Sequence, residues 1–405
     1  MARTPHAPAA DLRGLSRLTI DAIAGIVGLV EAMHSNIASV PGMPGKSTAG
    51  RTTGITGLVY RSINGAIGLA GHGLDRLLAK LNPLLVAGSA WPGRESVLAA
   101  LNGVLGDYLA ASNNPLAITM SLRRDGNPLP MDREALVGAI PQATGRVAIL
   151  VHGLCLNDLQ WKRQGHDHGA ALARDLGYTP VYLHYNTGLH ISVNGRAFAD
   201  LLESLLRVWP VLPLEVVIVG HSMGGLVTRS AFHYGAVANH DWPRHVGKVV
   251  FLGTPHHGAP LERGGNLVDM LLGISRYTAP FARLGKIRSA GITDLRYGSL
   301  VDEDWKGRDR FERTGDVRLA VPLPEGVEFF TIAATAGNKA GGLGDRLIGD
   351  GIVPLASALG RHRDPGRALQ FPDSRQWVGA SMTHLELLHR REVYARMKEW
   401  LAPPE

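Results

Sequence analysis

Short runs of β-branched and aromatic residues recur along the later part of the chain, and they are apolar on both faces. Arg146-Val-Ala-Ile-Leu-Val151, Pro180-Val-Tyr-Leu-His-Tyr185, Glu215-Val-Val-Ile-Val219, Lys248-Val-Val-Phe-Leu252 and Glu328-Phe-Phe-Thr-Ile-Ala333 all have this texture. A strand without a polar face belongs inside a sheet that is covered on both sides, which is the situation of a parallel sheet. Helix-spaced stretches, such as 195–208 and 225–238, lie between the runs. Strand and helix in alternation specify an α/β fold, a mostly parallel sheet flanked by helices. Leu116-Ala-Ile-Thr-Met-Ser-Leu122 reads as one more strand, at the head of the series.

Ahead of these strands the periodicity is helical. Leu15, Leu18, Ala22, Ile26, Leu29 and Met33 recur every three or four residues, predicting an amphipathic helix over 12–38. A linker, Pro41-Gly-Met-Pro-Gly45, breaks it; a second helix starts near Thr53 and carries Gly65, Gly68 and Gly71, and a third runs from near Glu95 to Ala111. The chain thus divides into a helical N-terminal region, residues 1–112, and an α/β domain, residues 113–405. Within the latter, residues 259–326 separate two strands by far more than the usual two to six residues. That insertion is expected to be a lid, apolar at first (Leu267, Met270, Leu271, Leu272, Ile274) and then charged (Asp302, Glu303, Asp304, Lys306, Arg308).

Composition narrows the class. Of 405 residues 45% are hydrophobic and 19% charged, which excludes a disordered chain. The net charge of +7 comes without any concentrated basic run interleaved with aromatics, so nucleic acid is not an expected partner. The apolar stretch Ala22–Val30 is bounded by Asp21 and Glu31, too short to span a bilayer and flanked wrongly for a cleaved signal. The single cysteine, Cys155, permits no intrachain disulfide and favours a reducing, cytoplasmic setting, with peripheral contact to a membrane left open.

The chemistry is concentrated in Val216-Val-Ile-Val-Gly-His-Ser-Met-Gly-Gly-Leu226, which contains G-x-S-x-G at Gly220, Ser222 and Gly224. An aliphatic strand enters and a helical pattern leaves, the context that holds a serine on a sharp elbow. A serine hydroxyl needs a base that is itself oriented by a third group. Downstream, Asp350 lies in Gly349-Asp-Gly-Ile-Val-Pro354, with Asp345 as its competitor, and His384 lies just before the final helix. His389 is expected inside that helix. Two amides suit a developing oxyanion: that of Met223, which follows the serine, and that of Leu154, in Val151-His-Gly-Leu-Cys155 after an earlier strand. Cys155 is read as a passive neighbour of that loop.

Taken together, V-H-G-L at 151–154, G-H-S-M-G-G at 220–225, G-T-P-H-H-G at 253–258, G-D-G-I-V-P at 349–354 and T-H-L at 383–385 resemble the α/β-hydrolase superfamily. Over roughly residues 116–401 the chain is similar to serine lipases and esterases, including bacterial lipases and the catalytic domain of the GPI inositol deacylase. The resemblance implies an α/β-hydrolase fold, an ester-hydrolysing activity, an acyl ester or lipid as substrate, and Ser222, Asp350 and His384 as the triad. An acyltransferase or thioesterase would use the same acyl-enzyme, and a catalytically idle scaffold is a third reading. No cofactor and no metal are expected. Gly45-Lys-Ser47 lacks the first glycine and the strand of a phosphate loop, and His166-Asp-His168 and His256-His257 lack the spacing of metal ligands.

Overall fold

The computed structural model describes residues 94–212, 214–259, 289–308, 316–337 and 349–403. The helices expected over 12–38 and from Thr53, and the apolar part of the insertion around Leu267–Ile274, lie outside the described residues.

The sheet has the strands β1 (Ser121–Arg124), β2 (Asn127–Pro128), β3 (Arg146–Val151), β4 (Thr179–His184), β5 (Glu215–His221), β6 (Val246–Leu252), β7 (Glu328–Ala334) and β8 (Gln376–Gly379). Their order is β2-β1-β4-β3-β5-β6-β7-β8. From β4 to β8 every pairing is parallel; only β1 runs antiparallel, against both β2 and β4. Described helices are α1 (Arg94–Ala111), α2 (Arg133–Ala139), α3 (His168–Leu176), α4 (Ile191–Val208), α5 (Met223–Val237), α6 (Ala290–Asp294), α7 (Leu355–Ala358) and α8 (Arg391–Leu401).

The doubly apolar strands are buried because helices cover both faces. Val147, Ile149 and Val151 of β3 share one core with α1, α4 and α5, through residues such as Leu101, Phe198 and Leu226. Ala148 and Leu150, one residue out of phase, pack with Leu172 of α3 and with Val393 and Met397 of α8. Burying each such aliphatic side chain is worth about 1.5–3 kcal/mol, so β3, β5 and β6 anchor the molecule and fix the height at which their C-terminal loops emerge.

The first expected strand is corrected. Only Ser121–Arg124 of that region pairs, whereas Leu116–Met120 forms a turn and an extended link. The buried Asn102 of α1 takes the place of a neighbouring strand: its Nδ2 donates to Leu116 O at 2.8 Å and its Oδ1 accepts from Ile118 N at 2.9 Å. The helix read over 195–208 begins earlier, at Ile191, and β8 had no counterpart in the sequence reading.

The part of the insertion that is described is docked. Ala290, Ile292, Leu295, Leu300 and Val301 are buried. Asp294 accepts from Ile191 N at 2.7 Å, Ser230 Oγ donates to Leu300 O at 2.6 Å, and the rings of Trp305 and His190 stack 3.7 Å apart. Ala259 N donates to Leu295 O at 2.9 Å, so the chain is fastened where the insertion leaves and where it returns. Residues 289–308 are therefore a fixed piece of the shell. Among the described residues no helix is long and apolar enough to cross a membrane.

Candidate active site

Strand β5 runs into Ser222 and α5 begins at the next residue. Ser222 takes φ 55° and ψ −124°, the left-handed side of the map that a residue with a Cβ rarely enters. The neighbours over-determine it. Ser222 N donates to Leu252 O at 2.8 Å, and the flanking glycines have no room for a side chain: a Cβ on Gly220 would lie 2.7 Å from Gly225 Cα, and one on Gly224 would lie 2.2 Å from Val151 O. A serine strained at the head of a helix is pushed out of the strand, and the Gly225 amide of that first turn donates back to Ser222 O at 3.1 Å.

Asp350 and His384 meet in a buried pair. His384 Nδ1–H donates to Asp350 Oδ2 at 2.7 Å, and His384 N donates to Asp350 O at 3.2 Å. The other carboxylate oxygen accepts from Ile352 N at 3.0 Å and Val353 N at 2.8 Å. This leaves His384 Nε2 as a buried nitrogen without a hydrogen-bond partner among the described residues. Asp345 lies outside the described residues.

Gly153 packs directly on the elbow, since a Cβ there would be 2.9 Å from Ser222 Cβ. Among the described residues neither the Leu154 nor the Met223 amide N–H has a backbone acceptor. The next amide is spent: Cys155 N donates to Thr187 Oγ1 at 3.1 Å. Burial pushes the Cys155 thiol up to about 12, so it stays protonated and unreactive, in keeping with a passive neighbour.

His221 and His168 were not singled out for a site role by the sequence reading. His221 Nε2–H donates to His384 O at 3.2 Å, its ring centroid 4.7 Å from that of His384. His168 Nε2–H donates to Leu387 O at 2.9 Å, and its Nδ1 accepts from His166 Nε2–H at 2.8 Å. Burial holds both His221 and His168 well below the ordinary histidine range, so they act as neutral donors behind the loop that carries His384. Only the place of His221 inside the G-x-S-x-G motif hinted at this. His389 ends the short 3-10 turn Glu386–Leu388, before α8 begins at Arg391, which corrects its expected place inside the helix. No group of three or more His, Cys, Asp or Glu among the described residues is arranged to hold a metal ion.

A serine elbow after the central parallel strand, with an acid–histidine pair on the loops after β7 and β8, is the geometry of one fold. Residues 142–325 match the family model of the PGAP1-like alpha/beta domain. The chain is an α/β-hydrolase in fold. Among solved structures it is similar to the mature Bacillus licheniformis lipase BlEst2, at 19% identity over 70% of this chain and 98% of that one, TM-score 0.40. It is similar also to Aspergillus fumigatus lipase B, at 13% identity over 94% of this chain and 83% of that one, TM-score 0.39. The NocB thioesterase domain aligns at 15% identity over 65% of this chain and 97% of that domain, TM-score 0.39. No curated protein matches in sequence. At such identities the similarity is one of fold, and the chemistry has to be read from the side chains.

Proposed function

We propose that this protein is a serine hydrolase that cleaves carboxylic esters with a hydrophobic acyl chain. The observation that carries the reading is the buried Asp350–His384 pair, whose Nε2 has no hydrogen-bond partner among the described residues, in a fold that also holds Ser222 on a strained elbow. Ser222 Oγ attacks the ester carbonyl while His384 Nε2 takes its proton, and Asp350 keeps the imidazole in the tautomer with hydrogen on Nδ1. The amides of Leu154 and Met223 stabilise the oxyanion of the tetrahedral intermediate. Collapse expels the alkoxide, which recovers the proton from Nε2 and departs as the alcohol. Water then repeats the sequence on the acyl-enzyme and releases the carboxylic acid. The apolar run around Leu267–Ile274 of the insertion supports a hydrophobic acyl group. That the sequence supplies a residue for each of these roles weighs against an idle scaffold.

The test uses p-nitrophenyl esters of graded chain length together with a fluorophosphonate probe. Ser222 is expected to be the labelled residue, turnover to increase with acyl length, and Ser222→Ala to abolish both labelling and turnover while the fold is kept. Labelling that survives Ser222→Ala would end the proposal. Adding an alcohol or a thiol and analysing the products separates hydrolysis from acyl transfer.

A further inference from the structure

The loop that carries Leu154 is itself strained. Cys155 holds φ 59°, left-handed backbone that its Cβ disfavours and that relaxes unless something prevents it. Two contacts do so. Cys155 N donates to the buried Thr187 Oγ1 at 3.1 Å. On the other side Gly103 of α1 presses on the thiol: a Cβ at position 103 would lie 2.2 Å from Cys155 Sγ.

Both supports are fastened in turn. Asn186 Nδ2 donates to Gly106 O at 2.9 Å, and Ser289 Oγ donates to Gly103 O at 2.7 Å. Gly188 lets the backbones touch, since a Cβ there would lie 2.1 Å from Asn102 O. Helix α1, the 186–188 loop and the return of the insertion at Ser289 thus close around a single strained residue.

We infer that Gly103 and Thr187 are positioning residues for the oxyanion loop, holding Cys155 in its left-handed turn so that the Leu154 amide stays aimed at the oxyanion. This rests on the assignment of Leu154 as an oxyanion donor. If Cys155 relaxed to a negative φ, the chain before it would swing relative to the chain after it. An amide displaced by about an ångström forfeits much of its stabilisation of the transition state.

The experiment measures fluorophosphonate labelling of the full chain, in which Ser222 Oγ displaces fluoride and the phosphonyl oxygen occupies the oxyanion position. Variants are Gly103→Ala, Thr187→Val, Cys155→Gly and the double Gly103→Ala/Cys155→Gly. Gly103→Ala and Thr187→Val are expected to reach full labelling, with a rate constant and kcat lower by about tenfold or more and KM little changed, because the oxyanion contact is made in the transition state. Cys155→Gly removes the thiol and accepts φ 59°, so that a Cβ at position 103 meets only the residue-155 Cα, at 3.1 Å. The double variant is therefore expected to label within about threefold of Cys155→Gly alone. Full-rate labelling by Thr187→Val and Gly103→Ala would overturn the inference. So would a reduced end-point at an unchanged rate, the mark of a purely structural role, or a failure of Cys155→Gly to rescue. If Gly103→Ala does not fold, Thr187→Val decides, since it removes one acceptor and keeps the shape. A wild-type chain that does not label at Ser222 overturns the proposed function itself, and is told apart by occurring without any substitution.

Discussion

Asp350 gives its two oxygens to two different tasks: Oδ1 ties down its own loop through the amides of Ile352 and Val353, and Oδ2 meets the imidazole. Asp350→Asn keeps the shape but loses the charge and an acceptor. We expect the fold to persist and kcat to fall by about 10⁴, by the logic of serine triads in which the imidazole takes the wrong tautomer. Steady-state kinetics with circular dichroism checks both halves, and a decrease smaller than about tenfold would assign the orienting role elsewhere. Gly224→Ala is expected to fail differently. Its Cβ would lie 2.2 Å from a backbone oxygen that has no room to move, so melting should show a loss of at least about 1–3 kcal/mol. These positions could be read from the sequence because glycines bracket them. The tasks of His221 and Thr187 could not, because their partners are backbone groups far away in the chain: His384 O is 163 residues from His221.

Helix α1 is where a division by texture and a division by packing part company. In sequence it continues the helical N-terminal region, yet Ala100, Leu101, Val104, Leu105 and Leu109 belong to the core that covers the sheet. A chain beginning at Arg94 is therefore expected to unfold cooperatively and to keep whatever fluorophosphonate labelling at Ser222 the full chain shows. One beginning at Pro115 exposes that core, and several large aliphatic contacts at about 2–5 kcal/mol each exceed the whole stability of an ordinary domain. Limited proteolysis and thermal melts of the two chains check this; a stable Pro115 chain would return α1 to the N-terminal region. The strands that were legible, β3 to β7, are those buried on both faces, where composition alone decides. Leu116–Met120 was misread because its apolar residues pair with the side chain of Asn102, which no periodicity reveals. The half-buried edge strand β8 carries Gln376 and Trp377 and has no such signature.

Across the molecule, buried neutral imidazoles govern the response to acid. Burial lowers His152 and His168 to about 3 and His257 to about 4, and puts His221 and His256 well below the ordinary value. Above about pH 6.5 these groups are neutral in folded and unfolded chains alike and cost nothing. Below it, the unfolded chain takes up protons that the folded one refuses. Each fully buried imidazole then withdraws about 1.4 kcal/mol per pH unit, until the folded-state value is reached. The melting temperature should be level above pH 7 and fall steeply between about pH 6 and 4, with His168→Gln flattening the slope. Calorimetry over that range checks it, and a level curve down to pH 5 would contradict the burial. The hydrogen bond from Ala259 to Leu295 bears on inheritance rather than on stability. Because the core holds both ends, the cost of closing whatever runs between them grows only slowly with its length. A change of length or composition at 260–288 is therefore expected to be inherited without disturbing the sheet or the loops that carry Ser222, Asp350 and His384, which thermal melts of chains with that segment replaced check.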